Sequence, residues 1–99
     1  MPHPLDVLGS IDPELLKLVG NNREFILGAD GALPKKVKYL IAMALDAAHG
    51  ASDGVRSLAT AAKNAGATAE EIGEALRVAY YIAGAGSVYT AARGLKDVF

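Results

Sequence analysis

The chain has 99 residues, 52% hydrophobic and 21% charged, a length that predicts one domain over residues 1–99 and a composition that excludes an intrinsically disordered protein. Its formal net charge is −1 with both signs mixed along the sequence, so it lacks the basic stripe with which proteins bind nucleic acid. It contains no cysteine, which excludes disulfides, thiolate metal sites and thiol redox chemistry.

The hydropathy pattern predicts where the protein works. No apolar run reaches the roughly eighteen residues of a membrane span, and the first residues lack the basic and apolar regions of a secretory signal. We therefore expect a cytoplasmic protein with neither a membrane nor a nucleic acid as partner. A chain this short cannot bury all of its apolar side chains, which predicts self-association.

The first predicted helix begins after Asp12, which is suited to cap it, with Pro13 at the first helical position and Glu14 in the first turn. It ends at about Leu27. The glycine-containing segment 28–33 then predicts a loop.

The second predicted helix runs from Pro34 to His49 and is stopped by Gly50. Its apolar residues recur at helical spacing and predict a core-facing stripe. The stripe comprises Val37, Leu40, Ile41, Ala44, Leu45 and Ala48.

Ser52 is placed to cap the third helix, which ends at residues 64–66. Its predicted core stripe is Val55, Leu58, Ala59 and Ala62. Thr68 and Glu71 then form a capping-box pattern that begins the fourth helix. The predicted core positions of that helix are Ile72, Ala75, Leu76, Ala79, Ile82 and Ala83. Val78 and Tyr81 lie on a second apolar face of it, which needs a second partner.

Residues 84–86 end the fourth helix, and Ser87 is placed to cap the last one. The closing stripe is predicted to be Val88, Ala91, Ala92, Leu95 and Phe99. No segment alternates with the period of a strand, so the sequence predicts an all-α fold of five helices.

Two segments, LPKKVKYLIAMALDAAHG and NAGATAEEIGEAL, together with the order of helices around them, resemble the AhpD-like or carboxymuconolactone decarboxylase superfamily. The resemblance extends over most of the chain and is strongest from Leu33 to Ala85. It implies an all-helical fold that assembles as a homo-oligomer, often a trimer or hexamer. It also implies active sites near the contacts between subunits.

In the peroxidase branch of that superfamily, the turn after the long helix carries Cys-x-x-Cys-x-x-x-His, and a glutamate one helix earlier completes a proton relay. The resemblance puts the two cysteines at Ala51 and Gly54, the histidine at Leu58 and the glutamate at Tyr39. Since none of these residues can replace a thiolate, we expect no thiol peroxidase activity. The decarboxylase branch, which uses no cysteine pair, is echoed only at Asp53 and Arg56.

The stretch HGASDGVRS, residues 49–57, carries the candidate chemistry. His49 either bonds to the last carbonyls of its helix or acts as a general acid or base oriented by Asp53. Asp53 either stabilises a helix N-terminus or orients that imidazole. Arg56 either pairs with Asp53 on the surface or, with Ser52 and the free amides at the helix start, binds a small anion.

Tyr39 is the remaining catalytic candidate, as a proton donor in a pocket, with a packed ring as the plainer interpretation. His3 and His49 are the only imidazoles in the chain, so we predict no metal and no other cofactor. Two functions remain open. One is a non-redox enzyme for a small carboxylated or lactone-like molecule, and the other is a non-catalytic binding or assembly protein on the same scaffold.

Overall fold

The computed structural model describes residues 4–99, none of which is in a strand. A 3-10 turn at Pro4–Val7 precedes six α-helices. They are α1 (Leu8–Ile11), α2 (Pro13–Leu27), α3 (Lys35–Ala48), α4 (Ser52–Asn64), α5 (Ala69–Ala83) and α6 (Gly86–Leu95). The all-α prediction is confirmed. The count of five helices is wrong, because the residues just before Asp12 form one further short helix.

The chain divides into two compact units, the first ending at Asp30 and the second comprising Gly31–Phe99. In the first unit, the Asp12 carboxylate accepts a hydrogen bond of 3.0 Å from the backbone N–H of Leu15, which confirms the predicted cap of α2. No residue of α2 is buried, although its sequence is amphipathic. Its apolar side chains therefore add little to the hydrophobic stability of this unit.

The second unit is a four-helix arrangement in which α3 and α6 each contact both α4 and α5. Its largest fully buried side chains are Met43 on α3 and Val55 on α4. The predicted stripe of α4 is confirmed, since all four of its residues are buried. Helix α4 is thus the centre of the core, and its buried face packs against α3 and α6.

The beginning of α5 is fixed by the predicted capping box. The Thr68 hydroxyl accepts from the N–H of Glu71 at 3.1 Å, and the Glu71 carboxylate accepts from the N–H of Thr68 at 3.0 Å. Lys36 Nζ lies 2.9 Å from the other oxygen of Glu71 and ties α3 to α5. The backbone hydrogen bond from Thr68 and then the contact with Lys36 lower the pKa of Glu71.

The two ends of the second unit are also held by specific contacts. Helix α5 stops at Gly84, whose φ of 89° is a conformation that favours glycine. Near the C-terminus, Lys63 Nζ donates a 2.8 Å hydrogen bond to the carbonyl of Val98 and lies 4.9 Å from the centre of the Phe99 ring. One lysine of α4 therefore fastens the segment after α6.

The predicted stripe of α3 is wrong, and that of α5 is confirmed only in part. On α3 the buried residues are Met43 and Ala47, whereas none of the six residues of the predicted stripe is buried. On α5, Ile72 and Ala79 are buried as predicted, but Ile82 is 78% exposed. Helical spacing identifies an apolar face, and both α3 and α5 have more than one.

The stripe of α6 is also shifted. Its buried face is small or polar and comprises Ser87, Thr90, Ala91 and Gly94. The predicted member Val88 is exposed, because α6 approaches its neighbours closely and excludes large side chains from the buried face. Phe99, also predicted, is exposed and lies beyond the end of α6.

Both predicted serine caps are wrong as well. Helix α4 is capped at Ala51 without a side-chain hydrogen bond, so Ser52 is its first residue. Helix α6 is capped at Ala85 in the same way, and the Ser87 hydroxyl instead donates to the carbonyl of Gly84 at 2.7 Å.

Candidate functional site

The candidate stretch lies in the short turn between α3 and α4. His49 is the C-terminal cap of α3, and its backbone N–H donates to the carbonyl of Leu45 at 3.0 Å. Gly50 follows with a φ of 79°, which reverses the chain, and the N–H of Ala51 then donates to the carbonyl of Asp46 at 2.9 Å. These backbone bonds explain why the helix ends where the glycine predicts.

Most side chains of the stretch are exposed to solvent. Asp53 and Arg56, in the first two turns of α4, are exposed, as is His49, whereas Ser52 is half-buried. Within residues 4–99, none of these four side chains forms a hydrogen bond or an ion pair with another residue. The four residues are close in sequence, but their side chains do not form a hydrogen-bonded network.

Tyr39 is half-buried on α3, ten positions before His49. At 1.5 Å per residue, this separation is about 15 Å along the helix axis. Helix α3 therefore does not bring the phenol to the turn, and a shared role for Tyr39 and His49 stays a prediction.

Asp46 is a residue of the turn that the sequence argument missed. Its carboxylate lies directly over the Cα of Gly54, where a Cβ would meet Oδ2 of Asp46. This half-buried carboxylate has no hydrogen-bond partner in the described part of the chain. A glycine inside the first turn of a helix is the sequence signal of such a close approach.

Helix α6 covers another side of the same turn. A Cβ at Gly94 would lie 2.6 Å from the backbone oxygen of Ser52 and 2.7 Å from Cβ of Val55. Only glycine permits this approach, so the first turn of α4 is packed between α3 and α6. The close approaches at Gly54 and Gly94 thus fix the position of the first turn of α4, which carries the candidate residues Ser52 and Asp53.

The two carboxylates at the start of α4 disfavour the binding of a further anion there. The free N–H groups there carry a partial positive charge, which favours negative groups. Asp46 lies against this turn from α3, and Asp53 is one of its own residues. Two carboxylates already meet that preference, and Arg56 is the one cation of the same helix end.

A groove of about 350 Å³ lies elsewhere in the second unit, between α3 and α5. All of its lining residues are aliphatic, and none of the five candidate site residues is among them. They are Val37, Leu40, Ile41, Ala44, Leu45, Ala48, Ala75, Val78, Ala79, Ile82 and Ala83. The α3 stripe that the sequence predicts to face the core is one wall of this groove.

Residues 4–99 hold no group of three or more acidic or histidine side chains placed to bind a metal ion, and His3 lies outside the described residues. In the same part of the chain, every helix is too short or too polar to span a bilayer.

Comparison with known proteins gives one match. The sequence model of the carboxymuconolactone decarboxylase family matches residues 13–97, from the start of α2 to just beyond α6. No curated protein and no solved structure matches the chain.

Proposed function

The chain belongs to the carboxymuconolactone decarboxylase family, and from this premise we propose that it is a non-catalytic binding or assembly protein that works without thiol chemistry. One observation carries the proposal. In the described part of the chain the polar side chains of the α3–α4 turn form no hydrogen bond or ion pair with one another, whereas a large apolar groove lies open between α3 and α5. A catalytic site needs its polar groups to converge on one position, and a docking surface needs exposed apolar area.

The chemistry of the residues supports the exclusion of thiol peroxidase activity. A peroxidatic cycle requires a thiolate and a second thiol that resolves the sulfenic acid, and this chain has neither. We expect that peroxide consumption in the presence of a dithiol reductant equals that of a heat-treated control. Consumption that depends on the reductant and is lost on heating would contradict the proposal.

Asp46 favours a second candidate, a non-redox enzyme for a small carboxylated or lactone-like molecule. Its unpartnered carboxylate adds an acid to the turn that already holds His49 and Asp53. In this candidate His49, Asp53 and Tyr39 are the catalytic residues, and Arg56 with Ser52 binds the substrate carboxylate.

A titration separates the two candidates. A small dicarboxylate such as succinate is added while the backbone amide signals of Ser52, Asp53 and Gly54 are followed, once with neutral and once with protonated imidazole. The binding or assembly proposal predicts no saturable shift at millimolar ligand. A saturable shift that strengthens on protonation and disappears in Arg56→Ala would show that the turn binds an anion, as the enzymatic candidate requires, and turnover of the ligand would then have to be measured.

The partner that we propose is another copy of the chain. Large apolar side chains of α3 and α5 are exposed, among them Ile41 at 47%, Leu45 at 55% and Tyr81 at 85%. Surfaces of this kind are rarely left open in a monomer. The superfamily resemblance adds a trimer or hexamer as the expected assembly.

A further inference from the structure

The connection between α5 and α6 is an exposed surface without a charge. Every residue from 80 to 86 is exposed, which is the longest such run in the second unit. On the far side of the connection, Val88 is 47% exposed and Tyr89 is 67% exposed. This surface, the hairpin tip, comprises Tyr80, residues 84–86, Val88 and Tyr89.

The hairpin tip is separate from the α3–α5 groove. None of its residues is among those that line the groove. At 100° per residue, Tyr80 lies about 160° around α5 from the groove residues Val78 and Ile82. A partner that covers the groove therefore leaves Tyr80 on the opposite face of the helix.

Two arginines lie behind the hairpin tip, one on each helix. Arg77 is three residues before Tyr80 and Arg93 is four residues after Tyr89, so each pair shares one side of its helix. At 1.5 Å per residue, each arginine is about 4.5–6 Å farther from the connection than its tyrosine. Both arginines are exposed, and within residues 4–99 neither guanidinium forms an ion pair or a hydrogen bond.

The segment around the hairpin tip is positive, although the chain as a whole is not. Residues 75–96 contain the cations Arg77, Arg93 and Lys96 and no acidic residue. The formal net charge of the whole chain is −1. The segment therefore combines an uncharged aromatic end with a cationic rim, which favours an anionic partner.

An anionic bilayer surface matches this order of layers. Tyrosine is enriched at the membrane–water interface because its ring is apolar and its hydroxyl is polar. Arginine extends its charged end to the lipid phosphates, and an anionic leaflet attracts basic residues near its surface. Single-stranded nucleic acid also stacks on aromatic rings beside cations, but it is held in a groove, whereas the hairpin tip is the outer end of two helices.

We propose that the hairpin tip is a peripheral membrane-binding site for an anionic lipid surface. The two tyrosines lie at the depth of the headgroups, and Arg77 and Arg93 contact the lipid phosphates. Contact of this kind needs neither a spanning helix nor a secretory signal, the two features on which the expectation of no membrane partner rests. It also needs no second copy of the chain, so it is independent of the self-association proposed above.

The absence of tryptophan makes the depth of the hairpin tip measurable. Tyr89→Trp places a single indole on the tip, and Thr60→Trp places one at an exposed position of α4. Each variant is mixed with vesicles of three parts phosphatidylcholine to one part phosphatidylserine. We expect the emission of Tyr89→Trp to move to shorter wavelength and to be quenched by brominated acyl chains, and that of Thr60→Trp to stay unchanged.

The role of the arginines is measured by co-sedimentation with the same vesicles. The double variant Arg77→Gln, Arg93→Gln should bind about tenfold more weakly or less, because each cation near an anionic leaflet adds to the affinity. The matched control is the double variant Arg23→Gln, Arg56→Gln, which changes the net charge equally at exposed positions outside the tip. It should bind within about twofold of the unmodified chain, because distant charges are screened by salt.

Three results would overturn the proposal. The first is unchanged emission of Tyr89→Trp in the presence of anionic vesicles. The second is an equal loss of binding in the two double variants, which would reduce the effect to net charge. The third is emission of Tyr89→Trp that shifts only with a single-stranded RNA oligonucleotide or only with rising protein concentration, because the tip would then bind a nucleic acid or a second copy.

Discussion

The two sides of α3 differ in how their apolar residues are covered. On one side α3, α4 and α6 meet in a closed seam at Met43, Gly54, Val55 and Gly94, where Met43 and Val55 are fully buried. On the other side lies the α3–α5 groove, where Val78 is 64% exposed. Both sides are apolar. The difference arises from glycine, which brings α4 and α6 close enough to exclude solvent from the seam.

The closed seam serves stability, and the groove serves association. Burying a Met or Val side chain contributes about 1.5–3 kcal/mol, so the closed seam holds the second unit together. The groove residues gain little of this in a single chain and remain available to a partner. Substitutions in the seam are therefore expected to change stability, and substitutions in the groove to change association.

Gly94→Leu is expected to break the closed seam and has the largest effect on stability. Its side chain would collide with the backbone of Ser52 and with Val55, which neither can avoid by a rotamer change. We expect a loss of about 3 kcal/mol in the free energy of unfolding, measured by urea denaturation. Gly73→Ala on α5 is the matched control, because a Cβ there meets nothing within 4 Å, and it should stabilise the protein.

Thr68→Ala tests the groove side through the beginning of α5. The substitution removes the hydroxyl that accepts from the N–H of Glu71, and we expect a loss of about 1 kcal/mol. Thr60→Ala, at an exposed position inside α4, should lose nothing. Equal losses in the two variants would show that the capping box does not hold α5.

A double-mutant cycle between Gly54 and Asp46 sharpens the account of the seam. Gly54→Ala alone gains helix propensity but displaces the Asp46 carboxylate. In an Asp46→Ala background the displacement cost disappears, so Gly54→Ala should be more favourable there by about 0.5 kcal/mol or more. Additive effects of the two substitutions would contradict the close contact.

The smallest effect is expected at the Lys36–Glu71 pair beside the groove. The folded-state pKa of Glu71 lies below its ordinary value of 4.5, so this carboxylate contributes stability above the unfolded-state pKa and loses it as the pH falls through the folded-state pKa. Lys36→Met should raise the pKa of Glu71, though not fully to the ordinary value, because the hydrogen bond from Thr68 remains. An NMR titration of the Glu71 carboxyl carbon measures this, and an unchanged pKa would show that Lys36 has no part in it.

Much of the fold could be predicted because its signals are local. The Asp12 cap, the capping box at Thr68 and the glycines after α3, α4 and α5 depend on neighbouring residues, and the structure confirms them. The covered face of α3 could not be predicted in this way. Met43 and Ile41 lie on different apolar faces, and their spacing does not tell which one meets α4.

The candidate site was harder to predict than the fold for a similar reason. The residues His49, Asp53 and Arg56 follow from the sequence, but whether their side chains converge depends on the path of the turn. The close approach of Asp46 to Gly54 joins residues of two helices, and only the isolated glycine hinted at it. Small buried residues such as Ser87 and Gly94 were missed because a hydropathy stripe counts large apolar side chains.

The central claim is that the apolar face of α5, and not the polar turn after α3, is the working surface. Light scattering at micromolar concentration tests it most directly, on the unmodified chain and on Tyr81→Asp, Val78→Asp and Arg56→Ala. We predict a multiple of the 10.2 kDa chain mass for the unmodified protein and for Arg56→Ala, and the single-chain mass for both aspartate variants. A mass of one chain for the unmodified protein, or an undiminished oligomer in both aspartate variants, would contradict the claim.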